Sequence, residues 1–92
     1  MNIKTKILYA KSQMKMQVTS IFGKNNIITS QLHYLIDKYF DHLMSWCSLG
    51  IPYVLKPNVN DINVEFKVLK VNSSKVLILR LNNRMIAKTS IP

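Results

Sequence analysis

An α+β domain is the fold class this sequence predicts, with one main amphipathic helix packed on a small β-sheet and an extended basic β-hairpin. Three observations predict it. An apolar stripe at helical spacing runs from Leu32 to Cys47, two alternating segments follow at 62–71 and 75–81, and 92 residues suffice for one small domain only. Apolar residues make up 48% of the chain, too many for a disordered basic tail. They are also too interrupted to form a membrane-spanning run of about 18 residues.

The elements follow in order. Residues 1–13 read as a basic N-terminal arm, acid-poor like a mitochondrial targeting segment but without arginine and with only Thr5 and Ser12 as Ser/Thr hydroxyls. Residues 14–61 read as strand, helix, strand. In Met14–Phe22, Met14, Met16 and Val18 alternate with Lys15, Gln17 and Thr19, which predicts a strand with one wet face. Gly23–Asn26 is a turn by composition, and Thr29 and Ser30 are candidate N-caps. Leu32, Leu35, Ile36, Tyr39, Phe40, Leu43, Trp46 and Cys47 then recur at steps of three and four. Gly50 is placed to end that helix and Pro52 to prevent its continuation. Ile51–Leu55 is a short strand, confined to an edge by Pro52 and Pro57. Residues 62–92 form the basic hairpin and tail, its arms Ile62–Val71 and Lys75–Leu81 joined by turn residues at Asn72–Ser74.

The formal charge is +9, and it is uneven. Residues 1–30 carry +5 with no acid, residues 31–61 carry −1, and residues 62–92 carry +5. A polyanion that neutralises the two basic ends explains such a charge best, and nucleic acid is the first expectation. Lysine outnumbers arginine eleven to two, and Asn, Ile and Lys abound, which points to an AT-rich genome such as an organelle's or that of an AT-rich microbe.

Little in the chain supports catalysis. His33 and Asp37 stand at i,i+4, and Asp41 and His42 are adjacent, but no third ligand converges for a metal. Cys47 lies on the apolar stripe, where a neutral core thiol is the ordinary outcome. Gly occurs only at 23 and 50, so there is no phosphate-cradling glycine loop. The expectation is a protein that is not an enzyme and needs no cofactor or metal. Recognition of RNA has candidates: Lys67, Lys70, Lys75, Arg80, Asn82, Asn83, Arg84 and Lys88 on or beside the hairpin, with Lys15 and Lys24 upstream. Of the helix aromatics, Tyr39, Phe40 and Trp46 share the apolar stripe and read as core, whereas Tyr34 reads as free.

The stretch Phe66–Lys70 (F-K-V-L-K), a loop, and Leu79–Ile86 (L-R-L-N-N-R-M-I) resembles the S-ten family of small-subunit ribosomal proteins. That family has an aromatic-x-V-L-R strand, a loop, and a strand reading I-R-x-H-K-R-L-I. Val68, Leu69 and Lys70 match the first, and Arg80, Arg84, Met85 and Ile86 the second. Ile27-Ile28 and Leu35-Ile36-Asp37 match the spacing along the family's first helix, and Gly50, Pro52 and Pro57 fall near its Gly-Pro-rich segment. The loop is shorter here, lacks S-P-H, and carries Asn82-Asn83 in place of His-Lys.

The resemblance, over residues 16–86, implies a truncated ferredoxin-like, S-ten-like fold. It implies a structural constituent of the small-subunit head that binds rRNA beside the proteins S-three, S-nine and S-fourteen, in the mitochondrial matrix and organelle-encoded, with no membrane partner. It further implies a missing second helix and closing strand, hence an open sheet edge near Arg84–Pro92 that a second chain completes. The alternatives from other classes are a free-standing nucleic-acid-binding regulator using the hairpin as a β-ribbon, and a small interaction subunit of an organellar complex.

Overall fold

The computed structural model describes residues 2–59 and 61–91. Two helices, α1 (Ile3–Phe22) and α2 (Ile27–Leu49), precede four strands, β1 (Tyr53–Leu55), β2 (Val64–Val71), β3 (Ser74–Leu81) and β4 (Arg84–Ile91). The strands form one antiparallel meander in the order β1-β2-β3-β4, and both helices contribute to a single core against it. The α+β class expected from the sequence is therefore observed. Its N-terminal third is built differently.

Where an arm and a strand are expected, the chain forms the 20-residue helix α1. Asn2 starts it, its Oδ1 accepting from the Thr5 N–H at 2.8 Å and from Thr5 Oγ1 at 2.9 Å. The buried residues are Ala10, Met14 and Val18, one per turn, while Met16 is 61% exposed. The alternation that reads as a strand coincides at 14 and 18 with a helical i,i+4 stripe, and burial against α2 and β4 selects the helix. Gly23 ends α1 at φ 91°, its N–H donating to the Thr19 carbonyl at 2.8 Å.

The second helix carries the predicted stripe, with Leu32, Leu35, Ile36, Phe40, Leu43 and Cys47 buried. Its N-cap is Asn26, whose Oδ1 accepts from the Ile28 N–H at 2.9 Å, rather than Thr29 or Ser30. Thr29 is instead buried in the first turn and donates its hydroxyl to the Gly23 carbonyl at 2.6 Å. Gly50 takes the left-handed conformation at φ 69° and closes the helix as expected.

Side chains lock the two helices together. Lys15 and Lys11 reach Asp37 at 3.0 and 3.4 Å. Nε2 of His33 lies 2.9 Å from the Lys15 carbonyl and 3.0 Å from Thr19 Oγ1, so facing a carbonyl it carries the proton and donates.

On the sheet, Val64, Phe66 and Val68 of β2 and Leu77, Leu79 and Leu81 of β3 point into the core. Each large side chain buried there contributes roughly 1.5–3 kcal/mol. The two arms of the basic hairpin are thus the central strands of the sheet, not a projecting ribbon. The segment Leu79–Ile86 is not one strand either. Asn82 and Asn83, at φ 51° and 68°, make a tight turn between β3 and β4 that matches the strands' twist. Just before this turn the register slips at Leu79/Arg80, which leaves Ile86 without a partner on β3.

The edge expected to stay open is capped within the chain at one residue, Lys88. The Gln17 side-chain amide pairs with the backbone of Lys88 on β4, accepting from its N–H at 2.9 Å and donating to its carbonyl at 2.8 Å. At Lys88 this mimics a neighbouring strand and occupies two of the ladder groups that the edge presents. The apolar face that a second helix would cover is covered by Ala10, Met14 and Val18 of α1. Pro92, at the end of the predicted open edge, lies outside the described residues. No described helix is long and apolar enough to cross a membrane.

Candidate nucleic-acid interface

Both helices lie on one face of the sheet, and the strand period of two sends every alternate residue to the other face. With Val64, Phe66 and Val68 in the core, Glu65, Lys67 and Leu69 look away from the helices. Lys67 lies opposite Ile78, and Ile78 opposite Lys88, so these three make one row across the open face. The two lysines, 21 positions apart in sequence, stand about 10 Å apart across two inter-strand gaps.

Glu65 lies opposite Arg80 in the next row. Its carboxylate is held by Arg80 at 3.6 Å and by Lys56 at 3.8 Å. Arg80 also donates to the Asn83 carbonyl at 2.9 Å. Four cations therefore meet Glu65 on or beside this face, and Asp61 shares a hollow with Lys56. Val76 is only 6% exposed yet lies outside the core cluster, and with Leu69 and Ile78 it makes an apolar floor between the charges.

The other predicted contacts are dispersed. Lys70 and Lys75 face each other at the β2–β3 turn, on the helix side of the sheet. Lys75 Nζ donates to the Ser48 carbonyl at the end of α2, at 3.4 Å. Arg84 is exposed beside the β3–β4 turn, at the opposite end of the sheet. Asn82 and Asn83 serve the backbone: the Asn82 N–H donates to the Asn63 carbonyl at 2.8 Å, and its Oδ1 accepts from the Asn63 N–H at 3.3 Å. Lys24 is exposed in the turn between the helices. Lys15 is committed to Asp37. Of the predicted set, the fold brings Lys67, Arg80 and Lys88 onto one surface and scatters the rest. Lys56 joins them without having been expected, because its place beside β2 depends on the pairing of β1.

Partial burial pushes the Asp37 carboxyl upward, but the Lys15 hydrogen bond and charge and the Lys11 charge outweigh it and hold the group below its ordinary value. Burial pushes the Cys47 thiol up, with the Lys75 charge opposing. Among the described residues no three His, Cys, Asp or Glu side chains converge as metal ligands. The groove between the helices, about 560 Å³, is shallow and lined by Leu8, Met16, His33 and the Asp37-bound Lys11 and Lys15.

The aromatics divide in an unforeseen way. Tyr34 is 63% exposed as expected, with the Lys38 ammonium over its ring at 5.8 Å. Trp46, expected in the core, is only partly buried and stacks on Tyr53 of β1, with centroids 4.4 Å apart and planes within 6°. Compared with protein-family models, curated proteins and solved structures, the chain matches none.

Proposed function

We propose that the protein binds RNA through the open face of its sheet, as a non-enzymatic architectural component of a ribonucleoprotein. The observation that carries this reading is the cross-strand row Lys67–Ile78–Lys88 with Arg80 and Lys56 beside it, on the one sheet face that no helix covers. Flexible lysines act there as point charges on phosphate oxygens, while Arg80, tied to Glu65 and Asn83, keeps a fixed pose. The net charge of +9 supplies long-range attraction to the same partner. A β-ribbon reader of duplex DNA is less well supported, since both hairpin arms are anchored in the core.

Within this reading, the small ribosomal subunit is the setting implied by the resemblance of Phe66–Lys70 and Leu79–Ile86 to the S-ten family, and the AT-rich composition supports the mitochondrial matrix. The fold departs from that family's order at two places, having α1 where a strand is implied and a turn at Asn82-Asn83 within the second matched segment.

The test is the salt dependence of binding to labelled RNA, read by fluorescence anisotropy. Each phosphate contact contributes about 0.7 (single strand) to 0.9 (duplex) to the slope of log K against log salt. The double variant Lys67→Ala/Lys88→Ala is expected to lower the slope by roughly 1.4–1.8. Wild-type protein that binds no RNA at moderate salt, or a variant whose slope is unchanged, refutes the reading. Co-sedimentation of tagged protein with small subunits tests the ribosomal setting, and exclusive recovery from the free pool contradicts it.

A further inference from the structure

Among the described residues the open face of the sheet holds charged and aliphatic side chains but no aromatic ring, for Phe66 and Tyr53 both point toward the helices. A charged surface of that kind grips phosphates and leaves the bases unread. Tyr9 and Tyr34 are exposed singly on the helices, and a pair of stacked rings stands where the end of α2 meets β1.

There Trp46 and Tyr53 lie parallel, and α2 holds the tyrosine from a second side. His42 meets the Tyr53 ring edge-on, with centroids 5.5 Å apart at 70°, and its Nε2 lies 3.1 Å from the tyrosine hydroxyl. Both rings of the stack are half-buried, so the pair is oriented before anything binds. Around it the surface is apolar and open, with Leu49 and Ile51 exposed.

Two cations rim this corner. Tyr53 pairs with Val68, and two residues further along the same face of β2 stands Lys70, with Lys75 directly opposite it on β3. The end of a helix carries partial negative charge that would repel a phosphate. Lys75 offsets it here by donating to the Ser48 carbonyl. The corner thus combines a fixed aromatic plane, an apolar surround and two lysines without an acid among the residues named.

We propose that the Trp46–Tyr53 stack is a platform for an unpaired nucleobase, so that the bound RNA is single-stranded where it passes the α2–β1 corner, its backbone running past Lys70 and Lys75. The inference rests on the RNA-binding reading and narrows its substrate class. Base–aromatic stacking tolerates any sequence because every base has a π-face, and a pre-oriented ring loses little freedom on stacking. A duplex keeps its bases stacked on one another and offers no such partner.

Trp46 is the only tryptophan, so its emission reports on the platform directly. The full chain is titrated with oligouridylate and with an RNA duplex of equal length, following tryptophan emission and the anisotropy of labelled RNA together. Single-stranded RNA is expected to quench the emission as it binds, and the duplex to bind with little quenching. Trp46→Leu should weaken single-strand binding roughly 5- to 150-fold, the range for one stacked base, and Trp46→Phe should lose less. Duplex binding should be unaffected by either.

RNA bound with its normal salt slope while the emission stays constant and Trp46→Leu binds equally well overturns the platform and leaves the RNA reading standing. Absence of RNA binding overturns both. Emission that answers to a protein partner and not to RNA assigns the corner to protein docking instead and also overturns the platform. Should Trp46→Leu fail to fold by circular dichroism, wild-type quenching by oligouridylate decides alone.

Discussion

Removing the Gln17 amide should both destabilise the fold and expose a strand edge. Its side chain makes two hydrogen bonds to the Lys88 backbone, at 2.8 and 2.9 Å, linking α1 to β4 across 71 residues of sequence. A single such bond contributes about 0.5–1.5 kcal/mol net. Both bonds are exposed, so water replaces part of what is lost, and Gln17→Leu should cost about 1–2 kcal/mol. For a chain of this size that lowers the melting temperature by roughly 4–16 °C. Gln17→Glu is the sharper control, because a carboxylate still accepts from the Lys88 N–H but faces its carbonyl with no proton to donate. It should be destabilised as well. With the ladder positions freed, the variants should also self-associate in sedimentation velocity once salt screens the +9 charge. Melts monitored by circular dichroism and sedimentation at two protein concentrations measure both effects. An unchanged melting temperature and a strictly monomeric Gln17→Leu variant would refute the claim that this side chain protects the edge at Lys88.

Further predictions concern the two titratable groups with shifted values. Asp37 ionises more readily in the folded protein than its ordinary 3.8, owing to Lys15 and Lys11. Its contribution to stability is therefore complete above the unfolded value and is lost as pH falls through the lower folded one. The carboxylate side chain is 47% exposed, so Asp37→Asn should cost no more than about 1 kcal/mol near neutral pH, and the gap to wild type should close on acidification. A gap that widens in acid contradicts the assignment. Cys47 is buried with its thiol pushed up, so its reaction with a disulfide reagent should follow global unfolding. Labelling of the folded chain at the rate of a free thiol would contradict that.

The second helix and the central hairpin were legible in the sequence because burial imposes one period on each: three and four from Leu32 to Cys47, two from Val64 to Val68. The first helix was not. Residues 14 and 18 satisfy a period of two and a period of four alike, and only Ile7 and Ala10 upstream, at steps of three and four, discriminate between them. The last strand escaped because Arg84–Ile91 mixes Arg, Lys, Thr and Ser with its apolar residues, and its bulge at Ile86 breaks the alternation. The surface depends on register more than on composition. Lys67 and Lys88 meet only because the Asn82-Asn83 turn and the slip at Leu79/Arg80 set β4 against β3. The same two asparagines, taken from the sequence as RNA contacts, are the pivot of that turn. Trp46 reads as core on its helical spacing, yet near the end of α2 it stacks on Tyr53 of β1 and stays only partly buried.

The central claim is that RNA lies on the face of the sheet that no helix covers. Amide chemical shifts of isotopically labelled full-length protein, titrated with a short single-stranded RNA, test it most directly. The largest changes should fall on the open face, at Lys67, Ile78, Arg80 and Lys88, and extend to the corner at Trp46 and Tyr53. The groove between the helices, around Leu8 and Ser12, should stay still. Changes confined to α1 and the groove between the helices, with Lys67 and Lys88 unmoved at saturation, would contradict it.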